Sequence, residues 1–318
     1  MKLLVTGGAG FIGANFILYW FENYPTDEIV NLDKLTYAAN LNSLDSIKDF
    51  KNYKFVQGDI CDESIVNDLV QMVDVVVHFA AESSVDKSLS ESQLFFKTNV
   101  EGTGSILKVV QKYNKRFHHV STDEVFGSLE LKSEEKFSEN TPYHPNNPYS
   151  ESKAASDLLV KKYFDDYGTK VTLSNCSNNY GPYQNTEKFI PLFITNLLQN
   201  KPVPLYGTGK NVRDWLYVKD HCFAIDLILQ KGKLGEQYCI GGDSEFSNLA
   251  VATEIFKILD QNAAYLDFVE DRINHDLRYA IDHSKITNEL GWRPTIKFKQ
   301  GLAETIEWYK NNEPWWKK

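Results

Sequence analysis

The chain begins with a short apolar run, Lys2–Thr6, that breaks directly into Gly7, Gly10 and Gly13 and then into a helical pattern. Glycines at this spacing permit a tight turn and let a helix pack closely on the strand. They also leave the helix N-terminus open to an anion. Alone, such a turn also fits loops that hold nothing, so the rest of the pattern decides. Glu28–Leu32, Tyr53–Gln57, Val73–Phe79, Phe117–Ser121 and Lys170–Cys176 read as further strands. Between them lie the helical segments Phe11–Tyr24, Ser64–Gln71, Phe95–Tyr113 and Ser150–Tyr167. Strands alternating with helices of this length predict an α/β fold, a Rossmann-type doubly wound parallel sheet.

Beyond Cys176 the alternation becomes irregular and is punctuated by Pro182, Pro191, Pro202 and Pro204, which predicts a smaller α/β lobe. A helix at Val218–Gln230 and a strand at Gln237–Ile240 are expected to return to the first sheet. The expected division is residues 1–175 plus about 213–241 in the first domain. Residues of about 176–212 and 242–318 form the second lobe. No internal repeat or low-complexity linker separates the two.

A hydrophobic content of 42% over 318 residues is ample for a core. The net charge of −9, with no long Lys/Arg run, argues against a nucleic-acid partner. No apolar run reaches the roughly 20 residues of a membrane span. The opening MKLLVTGGAG reads as strand and turn rather than as a signal peptide, so a cytoplasmic setting is expected. Cys61, Cys176, Cys222 and Cys239 are scattered without a partner at metal-ligand spacing, so they are expected to be free thiols and no metal site is expected.

Asp33 ends the second strand about 20 residues past the last glycine, where a carboxylate can hold both ribose hydroxyls of a dinucleotide. Its charge would repel a 2′-phosphate, which favours NAD over NADP. Asp59 follows the third strand and is either an adenine-edge contact or an ordinary turn aspartate. Ala80-Ala81-Glu82-Ser83 follows the fourth strand, where small residues let a cofactor approach the backbone.

Tyr149 and Lys153 are four residues apart and share a helix face. A lysine ammonium and a nicotinamide cation beside the phenol would lower its pKa, so Tyr149 could take a hydroxyl proton as hydride leaves. The alternative is an exposed tyrosine with a solvated lysine behind it. Ser121 and Thr122 end the fifth strand at the edge where open α/β sheets place ligands, and Asp123 and Glu124 follow them. Two carboxyls in one dry crevice cannot both ionise easily, so one is expected to stay protonated as an acid beside a base. A redox centre flanked by an acid and a base suits loss of water from a carbon next to a transient ketone.

These residues resemble the extended short-chain dehydrogenase/reductase family and, within it, the nucleotide-sugar 4,6-dehydratases. The resemblance runs nearly end to end, through TGGAGFIG (6–13), DKLTY (33–37), GDICD (58–62), HFAAES (78–83) and HVSTDEVFGS (119–128). It continues with PYSESKAASD (148–157), CSNNYGPYQ (176–184), NVRDWLYVKDHC (211–222), YAID (279–282) and ELGWRP (289–294). It implies bound NAD held by Gly7, Gly10, Phe11, Ile12, Gly13, Asp33, Lys34, Leu35, Thr36, Asp59, Ile60, Ala80, Ala81, Glu82, Ser83, Thr98, Tyr149, Lys153 and Asn179. It implies catalysis by Thr122, Asp123, Glu124, Tyr149 and Lys153.

The substrate it implies is a nucleotide-linked glucose, dTDP-glucose first, with UDP- or CDP-glucose as alternatives. The residues holding it would be Ser83, Thr122, Asn178, Lys188, Phe189, Pro204, Tyr206, Arg213, Asn248, Asp271, Arg272 and His275. A homodimer through a four-helix bundle is also implied. The chain departs from the family pattern at Ser84, Asn175, Ile273, Asn274 and Leu277, the last three on the nucleotide side. A 4-epimerase on the same fold would not need Asp123-Glu124, and a non-catalytic NAD-binding scaffold would tend to lose Tyr149 or Lys153.

Overall fold

A computed structural model describes residues 1–271 and 275–317. The first domain is a seven-stranded parallel sheet, in the order β3-β2-β1-β4-β5-β6-β10. Its strands are β1 (Lys2–Thr6), β2 (Glu28–Asp33), β3 (Tyr53–Gln57), β4 (Val75–His78), β5 (Arg116–Thr122) and β6 (Val171–Cys176). The chain first reverses direction between β1 and β4, which opens a crevice at the strands' C-terminal ends. Buried parallel strands need apolar side chains on both faces, and Leu3, Leu4, Val5, Val76 and Val77 are fully enclosed.

The first-domain helices are α1 (Phe11–Asn23), α2 (Glu63–Val70), α3 (Val85–Ser90), α4 (Ser92–Phe96), α5 (Thr103–Lys112) and α6 (Pro148–Tyr167). The expected continuous helix at Phe95–Tyr113 is instead α4 and α5 joined by a π-helical turn, Lys97–Gly102. That turn brings Asn99 to the backbone of Glu82, where it donates to the carbonyl at 3.1 Å and accepts the N–H at 2.9 Å. The short helices α3 and α4 follow the fourth strand, and Ser84 caps α3 by accepting from the Lys87 N–H at 3.4 Å.

The second lobe carries β7 (Asn178–Tyr180), α7 (Phe189–Leu198), β8 (Val203–Tyr206) and β9 (Val212–Tyr217). After α8 (Val218–Lys231) and β10 (Gln237–Ile240) it continues with β11 (Glu245–Ser247), α9 (Asn248–Leu259) and β12 (Leu266–Val269). The last helices are α10 (Ser284–Leu290), α11 (Phe298–Asn311) and α12 (Glu313–Trp316). β9 pairs with β7 and β11 in a small sheet, so the chain rejoins the first sheet at α8, slightly later than the expected residue 213. α10 and Trp292 also pack against α8 and β10, so part of the stretch expected in the second lobe covers the first sheet. The second lobe's own core gathers Phe193, Trp215, Ile255, Leu302 and Tyr309. Among the described residues no helix is long and apolar enough to cross a membrane.

Candidate active site

A cavity of about 330 Å³ follows the C-terminal edge of the large sheet, from the glycine turn to the start of the second lobe. Gly7 at φ +73° carries the chain off β1, and a Cβ there would lie 2.6 Å from the Ala80 nitrogen. A Cβ on Gly13 would run into the carbonyl oxygen of Gly7. Gly10 is the N-cap of α1 and has no side chain to satisfy the first-turn amides, which is the arrangement that suits a diphosphate. Both carboxylate oxygens of Asp33 are fixed by backbone donors, Oδ2 by Ala9 at 3.0 Å and Oδ1 by Leu35 at 2.8 Å. Burial raises the Asp33 pKa, while those two amides oppose the rise.

The cavity wall includes Phe11, Ile12, Lys34, Thr36, Asp59, Ile60, Ala80, Ala81, Glu82, Ser83, Thr98 and Asn179. Leu35 is not part of it; it stands at φ +60° and gives its N–H to Asp33. Asp59 is a turn residue that pairs with Lys34 at 2.8 Å and accepts the Cys61 N–H at 2.9 Å. These residues fit a dinucleotide: a bare helix N-terminus, a carboxylate braced by two backbone amides, and small residues lining the same cavity.

The catalytic candidates are brought together by three elements. Thr122 is the last residue of β5 and caps the following 3-10 turn, Asp123–Phe126, by accepting the Glu124 N–H at 3.3 Å. Pro148 at the first position of α6 and a capping box between Asn147 and Ser150 set that helix's start. Tyr149 therefore sits in the first turn, with Lys153 one turn on. Thr122, Asp123, Glu124, Tyr149 and Lys153 all line the cavity.

Asp123 is 1% exposed, and its pKa is pushed well above the carboxylate range by burial, then by Glu124 and Asp214. It accepts from Thr122 Oγ1 at 3.3 Å, and its Oδ2 has no hydrogen-bond partner among the described residues. Buried polar atoms are normally satisfied, so Asp123 Oδ2, Ser177 Oγ and Asn178 Oδ1, all unpartnered, mark places for ligand polar groups. The burial and the neighbouring Glu124 both favour the protonated form of Asp123.

Tyr149 is under opposing influences from the protein. Its pKa is raised, chiefly by burial and then by Glu124 and Cys176, with a hydrogen bond to Thr122 opposing. The Lys153 ammonium donates to the Val120 carbonyl at 3.0 Å. Burial in turn lowers the Lys153 pKa, against the favourable charge of Asp157.

Of the expected substrate residues, Ser83, Thr122, Asn178 and Lys188 line the cavity, and Lys188 Nζ donates to the Ser83 carbonyl at 3.1 Å. Phe189 does not line it; its ring packs on Phe193 at 4.5 Å and on Trp215 at 6.0 Å as part of the lobe's core. Pro204, Tyr206, Arg213, Asn248, Asp271 and His275 lie outside the cavity lining. Arg213 is buried and does not pair with Asp214. It donates to the carbonyls of Asp276 at 3.0 Å and Val212 at 2.8 Å, and lies over the Tyr279 ring. Asp214 instead accepts the N–H groups of Gly242 and Ser244, each at 2.9 Å. Asn248 opens α9, and its backbone N–H donates to the Asn211 carbonyl at 2.9 Å. Pro204 and Tyr206 lie on β8. Tyr206 faces His275 across 6.4 Å between ring centroids, and His275 Nδ1 and Asp271 Oδ1 are 2.6 Å apart. Arg272, Ile273 and Asn274 lie outside the described residues.

Cys176, Ser177, Gln184 and Asn185 also line the cavity and were not expected there. Cys176 ends β6 at the same sheet edge, a position rule that could have identified it. Asn175, which departs from the family pattern, donates from Nδ2 to the Thr122 carbonyl and to Asp157 Oδ2, both at 3.0 Å.

The profile of the GDP-mannose 4,6 dehydratase family matches residues 4–305. A dTDP-glucose 4,6-dehydratase of Mycolicibacterium smegmatis is 51% identical over 318 residues, covering 100% of this chain and 96% of that protein. The crystal structure of the Bacillus anthracis dTDP-glucose 4,6-dehydratase, in complex with NAD, superimposes with a TM-score of 0.94 at 48% identity. That match covers 100% of this chain and 99% of the other. A Streptomyces venezuelae dTDP-glucose 4,6-dehydratase, also solved with NAD, gives a TM-score of 0.96 at 45% identity, with 100% and 99% covered. The chain belongs to the extended short-chain dehydrogenase/reductase family and, within it, to the dTDP-glucose 4,6-dehydratases.

Proposed function

We propose that this chain converts dTDP-glucose to the dTDP-linked 4-keto-6-deoxy sugar by NAD-dependent loss of water, as a hydro-lyase. The observation that carries this reading is the buried Asp123 beside Glu124, at the end of β5 and in the same cavity as Tyr149. A 4-epimerase has no use for that pair.

When bound, NAD accepts hydride from C4 and later returns it to C6, and its positive charge favours the Tyr149 phenolate. The glycine turn, Asp33 and the Ala80–Ser83 strap would hold it. Tyr149, hydrogen-bonded to Thr122, takes the proton of the C4 hydroxyl. The ketone so formed acidifies the C5 proton, which Glu124 removes. Asp123 gives its proton to the C6 hydroxyl, which leaves as water. A proton is restored at C5, so the sum is loss of one water with no net redox change. Acid and base groups of this kind each contribute about 10²–10⁴-fold in rate.

Ser83, Asn178 and Lys188 are the groups best placed for the glycosyl diphosphate. Arg213, Asn248, Asp271 and His275 belong to the nucleotide side of the same reading, and charge-assisted pairing with phosphate suits Arg213. We further infer a cytoplasmic setting, supported by four free cysteines. A homodimer is the inferred assembly, supported by the exposed side chains of Leu94, Phe96 and Leu158 on the neighbouring helices α4 and α6.

Mass spectrometry of products from dTDP-, UDP- and CDP-glucose, offered separately without reductant, tests the reading. Loss of one water with the diphosphate intact, fastest for dTDP-glucose, is expected. An unchanged mass with glucose converted to galactose would make the protein an epimerase.

A further inference from the structure

The C-terminal tryptophans pack on the second lobe's core, yet beyond the turn that holds its own backbone N–H, Trp315 makes its polar contacts with the first domain. Its Nε1 donates to Ser43 Oγ at 3.1 Å, and its carbonyl accepts from Asn40 Nδ2 at 3.4 Å. Asn40 and Ser43 sit in the segment after β2 and begin a 3-10 turn whose Leu44 is buried against the α1 side of the sheet. The Asn40 N–H donates to the Ala9 carbonyl at 2.8 Å, and the Ala9 N–H donates to Asp33 Oδ2 at 3.0 Å. A series of hydrogen bonds therefore runs from the C-terminal helix to the carboxylate at the cofactor end of the cavity.

The other side of Trp315 holds the opposite wall. Its ring meets Trp308 edge-on at 5.1 Å and Tyr183 at 5.9 Å. Tyr183 stands at φ +66° and immediately precedes Gln184 and Asn185, which line the cavity. Asn185 Nδ2 reaches the Tyr37 carbonyl at 3.3 Å, and Tyr309 donates to the Gln184 carbonyl. The stretch 34–40 contains no helix or strand, so contacts at its ends determine its position.

We propose that Trp315 is a positioning residue for dinucleotide binding: its clasp on Asn40 and Ser43 holds the loop after β2 against the glycine turn and keeps Asp33 set for the ribose. The proposal rests on NAD occupying the cavity as read above. It accounts for the only reach of the α12 side chains toward the first domain among the described hydrogen bonds.

The test compares Trp315→Phe, which keeps a ring but loses the N–H, with Ser43→Ala and Trp315→Ala. The readout is the dissociation constant for NADH by fluorescence, together with the NAD retained after dialysis. Each of the first two variants should weaken NADH binding about fivefold, the worth of one net hydrogen bond, and Trp315→Ala tenfold or more. Activity lost on dilution should return when NAD is added in excess, which a merely structural defect would not allow. Unchanged NADH affinity in folded Trp315→Phe and Ser43→Ala, or lost activity that excess NAD does not restore, would overturn the clasp. Failure of the wild-type chain itself to bind NADH would instead sink the cofactor reading beneath it.

Discussion

The ammonium of Lys153 is bonded to the carbonyl oxygen of Val120 at 3.0 Å, two residues before Thr122. Helix α6 is thus fastened to β5 at the level of the reacting groups, and Lys153 aligns Tyr149 with Thr122 as well as supplying charge. Lys153→Met keeps the stem and loses both functions, so turnover should fall about 10²–10³-fold. Lys153→Arg should rescue little, because a planar fork cannot replace a point donor in a site that is 4% exposed. Steady-state kinetics of the two variants, with circular dichroism to verify folding, checks this. Full rescue by arginine would reduce Lys153 to a charge.

Asp123 and Glu124 are adjacent but should fail at different stages. Glu124→Gln leaves Tyr149 and Thr122 in place, so oxidation at C4 should proceed and stall, with nicotinamide absorbance building up to a fraction of the enzyme present. Exchange of the C5 hydrogen with deuterated solvent should disappear. Asp123→Asn retains a base, so C5 exchange should continue while water loss slows by about 10²–10³-fold. Rapid-mixing absorbance and mass spectrometry separate the two. Loss of C5 exchange in Asp123→Asn but not in Glu124→Gln would exchange their roles.

The first domain was legible because a parallel sheet covered on both faces needs unbroken apolar runs. Lys2–Thr6 and Gln237–Ile240 end where their patterns end; the half-exposed edge strand Tyr53–Gln57 was legible instead from its alternation with the flanking helices. The π turn at Lys97–Gly102 was not legible, since its setting is tertiary: a Cβ on Gly102 would lie 2.6 Å from Ile60 Cδ1. The three-residue strands β7 and β11 are too short to show a period, which explains the displaced lobe boundary. At the site, the residue types of Asp123, Glu124 and Tyr149 carried the chemistry. The direction of Lys153 and the bridging of Thr122 to Asp157 by Asn175 depend on how β5, β6 and α6 pack together, and no local pattern encodes that.

Asp157 links the site to pH. It is fully buried, accepts from Asn175, and lies 3.2 Å from a neutral His119 without hydrogen-bond alignment, with Lys153 and Lys161 as the nearby cations. Burial raises its pKa from 3.8 to about 6. Between those values the unfolded chain has released its proton and the folded chain still holds it. Rising pH therefore removes stability across this window and has no further effect above it. Asp59 and Asp282, whose pKa values are lowered, push the opposite way, so the wild-type curve alone is ambiguous. The difference from Asp157→Asn isolates the group. That variant should gain stability relative to wild type as pH rises from 4 to 6 and then keep a constant margin. Urea unfolding at several pH values checks it, and a margin that does not change with pH would refute the buried, late-titrating carboxyl.

The last expectation concerns assembly. Leu158 is 56% exposed and Phe96 39%, although their neighbours Phe95, Ser156, Asp157 and Val160 are buried. Leu158 lies on the face of α6 away from Lys153 and Asp157, which are both buried. A twofold interface presents each substituted position twice, so Leu158→Glu would place two carboxylates in one apolar contact without partners. Desolvating such charges costs several kcal/mol per ion, enough to weaken the dimer by about 100-fold or more. Sedimentation velocity should show a wild-type dimer and a monomeric, folded Leu158→Glu chain. Turnover should fall with the dimer, because α6 carries Tyr149 and Lys153 and would lose the surface that braces it. A wild-type monomer, or a variant that dimerises as tightly as wild type, would place the partner face elsewhere or remove it.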